Sequence, residues 1–333
     1  MTELGFPCRA NGQRGAALIM VLLIVAVMVV LAVGLVDGVR YSSQRLLNQR
    51  IMDQAYWYAL GGERIAIFAL EDVAGETSLH LGQDWARKDI VFPIDGGSIA
   101  GLIVDEQACF NINSLYKPES AGGDTQVLSP AEQVFTGLLS NLEFPPQRVE
   151  FIMGRSQDWI DEDFSPEGIY GAEDLLYTAK DYPYLPPNSL IDSVSELGLF
   201  AEFEEDEQSR LLPYLCALPE VSTALNINTL SPAQAPLLAA AIGNVLSVAE
   251  VLAVLERRPE NGWPDVASFI SELGLSAETP IPTVLLQGLG VTSHYFRGLS
   301  DVFYEQRQLN LYSRIVLRNG KAIVYAREYG EVF

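Results

Sequence analysis

The stretch AALIMVLLIVAVMVVLAVGLV, residues 16–36, holds no charged or strongly polar side chain and decides how the rest of the chain is read. About twenty apolar residues rising 1.5 Å each match the ~30 Å hydrocarbon core of a bilayer, so the run can span one as a helix. A secretory signal has a shorter apolar region, ~7–15 residues, and ends in a small-residue cleavage site, whereas this run passes straight into a polar helix. Arg9 and Arg14 precede the run and Asp37 follows it. That asymmetry puts the short N-terminus in the cytoplasm and everything after residue 36 outside, as a single-pass membrane protein. Residues 39–70 continue as helix. Leu47, Ile51, Ala55, Tyr58 and Ala59 recur at spacings of three and four, with Arg45, Gln49, Arg50 and Asp53 between them.

The leader ending in Gly15, the small Ala16, the unbroken apolar helix and its amphipathic extension together resemble the N-terminal signal of type IV pilin-like proteins. The resemblance implies that a prepilin peptidase cuts between Gly15 and Ala16 at the inner face of the membrane and methylates the new N-terminus, leaving the apolar helix as an anchor. One position departs from the usual pattern. Most such subunits carry glutamate at the fifth mature position, where this chain has Met20. A carboxylate within hydrocarbon is costly unless paired, and methionine offers no such partner to a neighbouring subunit. In this the chain resembles the minor pseudopilin K family of type II secretion, which implies a place at the tip of a pseudopilus, beside I-type and J-type minor pseudopilins and other type II secretion components. The runner-up is a tip minor pilin of a type IV pilus.

The composition suits an exported chain. At 333 residues with 49% apolar content it holds enough material for two compact domains beyond the membrane run. Its 43 acidic against 21 basic residues give a net charge of −22. That balance repels nucleic acid and anionic headgroups and leaves cations as natural small partners, while also serving the plain purpose of solubility. Removing the leader takes away Glu3, Arg9 and Arg14 and makes the charge one unit more negative. Cys8 precedes the apolar run. For Cys109 and Cys216, spacing leaves a disulfide and two separate buried thiols equally open.

Beyond the first helix the pattern turns to strands. GGSIAGLIVDEQACFNINSL, residues 96–115, reads as part of a β-meander: Gly96 and Gly97 supply a turn, and Ile99, Leu102, Val104 and the run to Phe110 have strand composition. Residues 308–329, QLNLYSRIVLRNGKAIVYAREY, read as a hairpin about Asn319-Gly320. Between them the composition shifts to helix formers with Pro and Gly breakers, as in SPAEQVFTGLLSNL at 129–142 and VAEVLAVLERRP at 248–259. The expected fold is therefore α+β, a pilin-like long N-terminal helix packed on an antiparallel sheet with a large inserted all-α domain. Its segments are the leader 1–15, the membrane part 16–36, a first pilin-like part 37–128, the insertion 129–290 and C-terminal strands 291–333. The insertion belongs to the K-family resemblance, as do FNINSL at 110–115, LNINTLSPAQAPLLAA at 225–240 and the SELGL phrases at 195–199 and 271–275. Asn228 or Thr229 is expected to cap the helix starting near Pro232.

The densest polar cluster is DWIDEDFSPEGIYGAEDLLYTAKDYPYLPPN, residues 158–188. Asp158, Asp161, Asp163, Glu167, Glu173 and Asp174 crowd around Gly168 and Gly171 in a stretch too broken for a long helix. Calcium takes six to eight oxygens and tolerates irregular loops. The spacing is not an EF-hand, and from it a solvated acidic loop, or carboxylates capping a helix at 172–176, stands level with a metal site. The K-family resemblance adds calcium to the expectation, with Asp158, Asp161, Asp163, Glu173 and Asp174 as candidate ligands. Asp181, Tyr184 and Asn188 either contribute or shape the next turn.

No enzyme is expected. His80 and His294 stand apart, and no nucleophile elbow, His-Glu-x-x-His pair or phosphate loop occurs. A membrane-anchored calcium-dependent hydrolase is the third reading. Residues 225–243, followed by a second helix pair, resemble a helix-hairpin-helix module, but Arg257-Arg258 is its one basic pair, so no nucleic acid is expected. Trp57, Trp85, Trp159 and Trp263 are expected as core indoles.

Overall fold

The computed structural model describes residues 16–88, 90–117, 128–275 and 280–330, so the leader with Gly15 lies outside the described residues. One helix, α1, covers Ala16–Asp72. The chain divides into two units, the first ending at Ala55. Within the first, the apolar side chains from Leu18 to Val36 are exposed, Met20 among them, on a helix long and apolar enough to cross a membrane.

In the second unit, the last turns of α1 pack on a sheet. β1 (Ile90–Ile94) and β2 (Gly97–Asp105) precede the helical insertion; β7 (Tyr295–Tyr304), β8 (Arg307–Arg318) and β9 (Lys321–Tyr329) follow it. The order is β1-β2-β7-β8-β9, antiparallel throughout. Pairing of β2 with β7 closes the sheet across the insertion. Ile67 and Leu70 of α1 meet Trp85, Phe296, Ile315 and Leu317 in a compact core. Beside it Glu63 is buried, which raises its pKa, but hydrogen bonds from Arg327 and Ser313 outweigh burial and hold it below the ordinary value.

The hairpin expected at 308–329 is present. Asn319 and Gly320 take φ of 52° and 75°, the left-handed pair of a type I′ turn. Glu305 and Gln306 repeat that geometry between β7 and β8, a turn the composition did not announce. The meander differs from expectation. β2 stops at Asp105, whose carboxylate accepts the Gln107 N–H at 2.7 Å and turns the chain, and Phe110–Asn111 leaves the sheet as β3 to pair in parallel with β4 (Leu215–Cys216).

The insertion carries α2 (Pro130–Asn141), α3 (Pro146–Ile160), α4 (Asp174–Thr178), α5 (Leu197–Phe200), α6 (Glu205–Leu211), α7 (Ala235–Ala241), α8 (Val248–Glu256), α9 (Val266–Glu272) and α10 (Thr283–Leu286). Phe135, Leu138, Ile152, Trp159, Phe200, Leu238, Trp263 and Phe269 belong to its apolar core. β5 (Leu225–Asn226) and β6 (Leu289–Gly290) form a second short parallel pair. Cys109 and Cys216 are joined in a disulfide. Of the tryptophans, Trp85, Trp159 and Trp263 are core residues as expected, whereas Trp57 is 65% exposed on α1.

Asn111 of the first Asn-x-Asn phrase caps the short helical turn Ile112–Leu115, but Asn228 and Thr229 of the second do not cap the helix after it. Ser231 directly precedes the turn at Pro232–Gln234, its N–H satisfied by Gln234 Oε1 at 2.7 Å. Asn228 instead brackets Trp263, accepting its N–H at 2.7 Å and donating to its carbonyl at 2.9 Å. Thr229 donates to Asp105. In the first phrase Asn113 brackets Ile191 in the same way, at 2.8 and 2.9 Å. Each bracketed residue lies shortly before a SELGL phrase, and each Asn-x-Asn begins at the second residue of a two-residue parallel strand. The insertion is thus built twice on one plan.

Candidate metal centre and family

α3 ends at Ile160, and its C-cap is Asp161. The loop that follows is tied at its base by Asp158, fully buried, which accepts the Glu167 N–H at 2.9 Å through one oxygen and the Ala172 N–H through the other. Gly171 makes this possible: a Cβ there would fall 2.6 Å from Asp158 Oδ2 and 2.5 Å from the Glu167 nitrogen. The tie brings Glu173 back to the end of α3. Oxygens of Asp161, Asp163 and Glu173 then lie within 4.8 Å of one another.

The electrostatics of this group are unusual. Asp161 and Glu173 are 8% and 7% exposed. Asp161 Oδ1 and both carboxylate oxygens of Glu173 are buried without a hydrogen-bond partner. Burial, then repulsion from neighbouring carboxylates, pushes Asp161 and Glu173 each up to about 7. Asp158 rises to about 6, burial outweighing its two backbone donors. Unpaired anionic oxygens in a protein interior are costly. Three convergent carboxylates are the hard, oxygen-only donor set that calcium selects. Asp161, Asp163 and Glu173 therefore fit a divalent cation, and would hold it.

The other expected ligands play different parts. Asp158 serves the backbone, and Asp174 begins α4 outside the three-oxygen group. Glu167 and Asp181 are exposed, and Tyr184 donates to the Leu199 carbonyl. Asn188 donates to the Asp163 carbonyl at 3.0 Å, closing the end of the stretch onto its start. The capping alternative fails for Glu173, which stands at the N-cap of α4 without a capping hydrogen bond.

A second polar hub lies outside the expected site residues. Asp105, wholly buried and held above its ordinary pKa by burial, accepts from Thr229 at 2.6 Å, Ser293 at 2.5 Å, Asn226 and the Gln107 N–H. The strand pattern through residue 105 concealed it, because an aspartate ending a strand is ordinary. Arg258 is spent on the carbonyls of Leu230 and Ile227, and Arg257 Nε on Ala253.

Fold and site together define a pilin-like subunit that carries an acidic helical insertion. Family models described as type II secretion system (T2SS) protein K match residues 108–220 and 225–292. The break between them falls between the two halves of the insertion. Type II secretion system protein K of Klebsiella pneumoniae is 39% identical over 79% of this chain and 80% of that one. Its counterpart from Pectobacterium carotovorum is 35% identical over 96% and 97%. The crystal structure of the GspK-GspI-GspJ complex from enterotoxigenic Escherichia coli contains a similar chain, with a TM-score of 0.77 and 32% identity, covering 86% of this chain and all of that one. The chain belongs to the type II secretion system protein K family and is a minor pseudopilin of that system. These relatives carry the names of secretion components, which does not favour the pilus and hydrolase alternatives.

Proposed function

We propose that this minor pseudopilin works at the tip of a periplasmic pseudopilus, assembled with I-type and J-type partners, and that its role is assembly, not catalysis. The observation that carries the reading is the likeness, over nearly the whole chain, to a chain of a K-I-J complex. The exposed, uncharged Met20 supports it. It offers no carboxylate to the N-terminus of another subunit, so a subunit is disfavoured above this one. A prepilin peptidase cuts between Gly15 and Ala16, and residues after 36 lie in the periplasm by the charge asymmetry across the apolar run. Asp161, Asp163 and Glu173 hold calcium, which neutralises their repulsion and fixes the loop between α3 and α4.

The test is the N-terminal mass of the membrane-bound product made with and without a prepilin peptidase, followed by co-purification with I- and J-type subunits. A product beginning at methylated Ala16, lost on Gly15→Asp, and a stable three-subunit complex are expected. An uncut N-terminus, or no association with either subunit, refutes the reading.

A further inference from the structure

The five most exposed large apolar side chains beyond residue 72, among the described residues, all fall in one stretch. Phe164, Ile169, Leu175, Tyr182 and Leu185 are 70%, 84%, 87%, 88% and 62% exposed. That stretch is the one the three carboxylates organise: Phe164 follows Asp163 directly, and Leu175 lies two residues after Glu173. Asp158 closes the loop bearing Phe164 and Ile169, and Asn188 ties the far end, beyond Leu185, back to Asp163. Singly scattered apolar residues are ordinary, but a concentration of them on one tied segment signals an interaction surface.

Charge says what fits this surface. Glu162, Glu167 and Asp181 are exposed around it. Lys180, the sole cation between residues 158 and 188, is already engaged by Tyr184, the Leu199 carbonyl and Glu202. We infer that residues 164–185 form a docking surface, set in place by the cation at Asp161, Asp163 and Glu173, for a basic protein segment that carries large apolar side chains. The apolar groups would supply affinity, and the surrounding carboxylates orientation and rate of encounter. The inference rests on the metal reading above for its calcium dependence, while the apolar and acidic surface is a separate observation.

The test uses the full chain in nanodiscs and, as probe, a fluorescent peptide of alternating lysine and leucine with one tryptophan; the same peptide with glutamate for lysine is the charge control. Calcium should strengthen binding of the basic peptide, and the acidic one should not bind. Ile169→Ser with Leu175→Ser should weaken binding about tenfold or more, while Val91→Ser with Phe303→Ser, exposed elsewhere, should leave it unchanged. Calorimetric calcium titration of the same proteins separates the two layers. Retained calcium binding with unchanged peptide affinity in the Ile169/Leu175 variant overturns the docking surface. Absence of calcium binding to the unaltered chain overturns the metal reading and the calcium dependence with it. Calcium-dependent binding of phosphatidylglycerol vesicles that is lost in the Ile169/Leu175 variant, without binding of the peptide, overturns the protein partner in favour of a lipid surface.

Discussion

Replacing Glu173 by glutamine should reverse the sign of its effect on stability when calcium is added. Without calcium, the folded chain holds Glu173 and Asp161 at about 7, well above their ordinary values near 4. Raised carboxyl pKa values mean that the folded state binds more protons than the unfolded state over roughly pH 4 to 7. Stability from these groups therefore falls as pH rises through that window, and above it the full penalty is present. At about 1.4 kcal/mol per pH unit, ionising either group in place costs on the order of 3 kcal/mol, and removing one charge also relieves its neighbour. Glu173→Gln should thus stabilise the calcium-free protein at pH 8 by roughly 1–3 kcal/mol, with the gain gone near pH 4. Saturating calcium inverts the order, since a ligand at a hundred times its dissociation constant adds about 2.7 kcal/mol to whichever form binds it. Thermal unfolding of the original and variant chains in detergent at pH 4, 6 and 8, with calcium or chelator, measures the effect. A Glu173→Gln protein that is destabilised at pH 8 in chelator would show that these carboxylates are not strained, and one that gains as much from calcium as the original would show that Glu173 is not a ligand.

Three further outcomes follow from named contacts. Gly171→Ala places a Cβ against Asp158 and the Glu167 nitrogen, so it should cost about 1–3 kcal/mol and weaken calcium binding by prying Glu173 from Asp161; calorimetry with an unchanged calcium affinity would count against the tie. Asp105→Ala takes away the buried acceptor shared by the Thr229, Ser293 and Asn226 donors and should destabilise by about 3 kcal/mol or more, whereas Asp105→Asn, which keeps an acceptor oxygen, should lose less in the same denaturant melt. Reducing Cys109–Cys216, which closes a loop of 107 residues, should lower stability by up to roughly 4–5 kcal/mol on the chain-entropy account, with altered mobility in non-reducing electrophoresis as the check that the bond was present.

Much of this fold was legible because its signals are local. The apolar run, the helices with Pro at their starts and the Asn319-Gly320 hairpin each announce themselves within a few residues. What stayed hidden depends on partners distant in sequence. Nothing near Asp105 indicates that Thr229 and Ser293 will surround it. Asn228 looks like a cap because caps are local, yet its partner Trp263 arrives from beyond two helices. The type I′ turn at Glu305-Gln306 lacks the Asn-Gly composition that normally marks one; the long pairing of β7 with β8 dictates it instead. At the candidate metal centre the sequence marked the stretch where three carboxylates converge but could not sort them. Which oxygens converge depends on the backbone tie through Asp158, and an aspartate that binds backbone N–H groups reads the same as one that binds metal.

The joint between sheet and insertion is where these hidden contacts concentrate. Asp105 links the end of β2 to the second Asn-x-Asn phrase and to Ser293 at the approach to β7. Gln107 donates to the Ala224 carbonyl and accepts the His294 N–H. Arg318 of β8 pairs with Glu220, and Arg314 donates to the Asp192 carbonyl. With the disulfide beside them, these bonds cross the joint at several separated points, so a hinge there would have to break them together, and those of Asp105 are buried and costly to leave unsatisfied. A flexible tether needs none of this. Under the proposed tip role, a load applied to the insertion reaches the sheet without being lost to bending at the joint. The Asp105 variants therefore bear on function as well as stability: a folded Asp105→Asn chain that secretes normally while its insertion reorients freely on the sheet would show that tip function does not require a rigid joint.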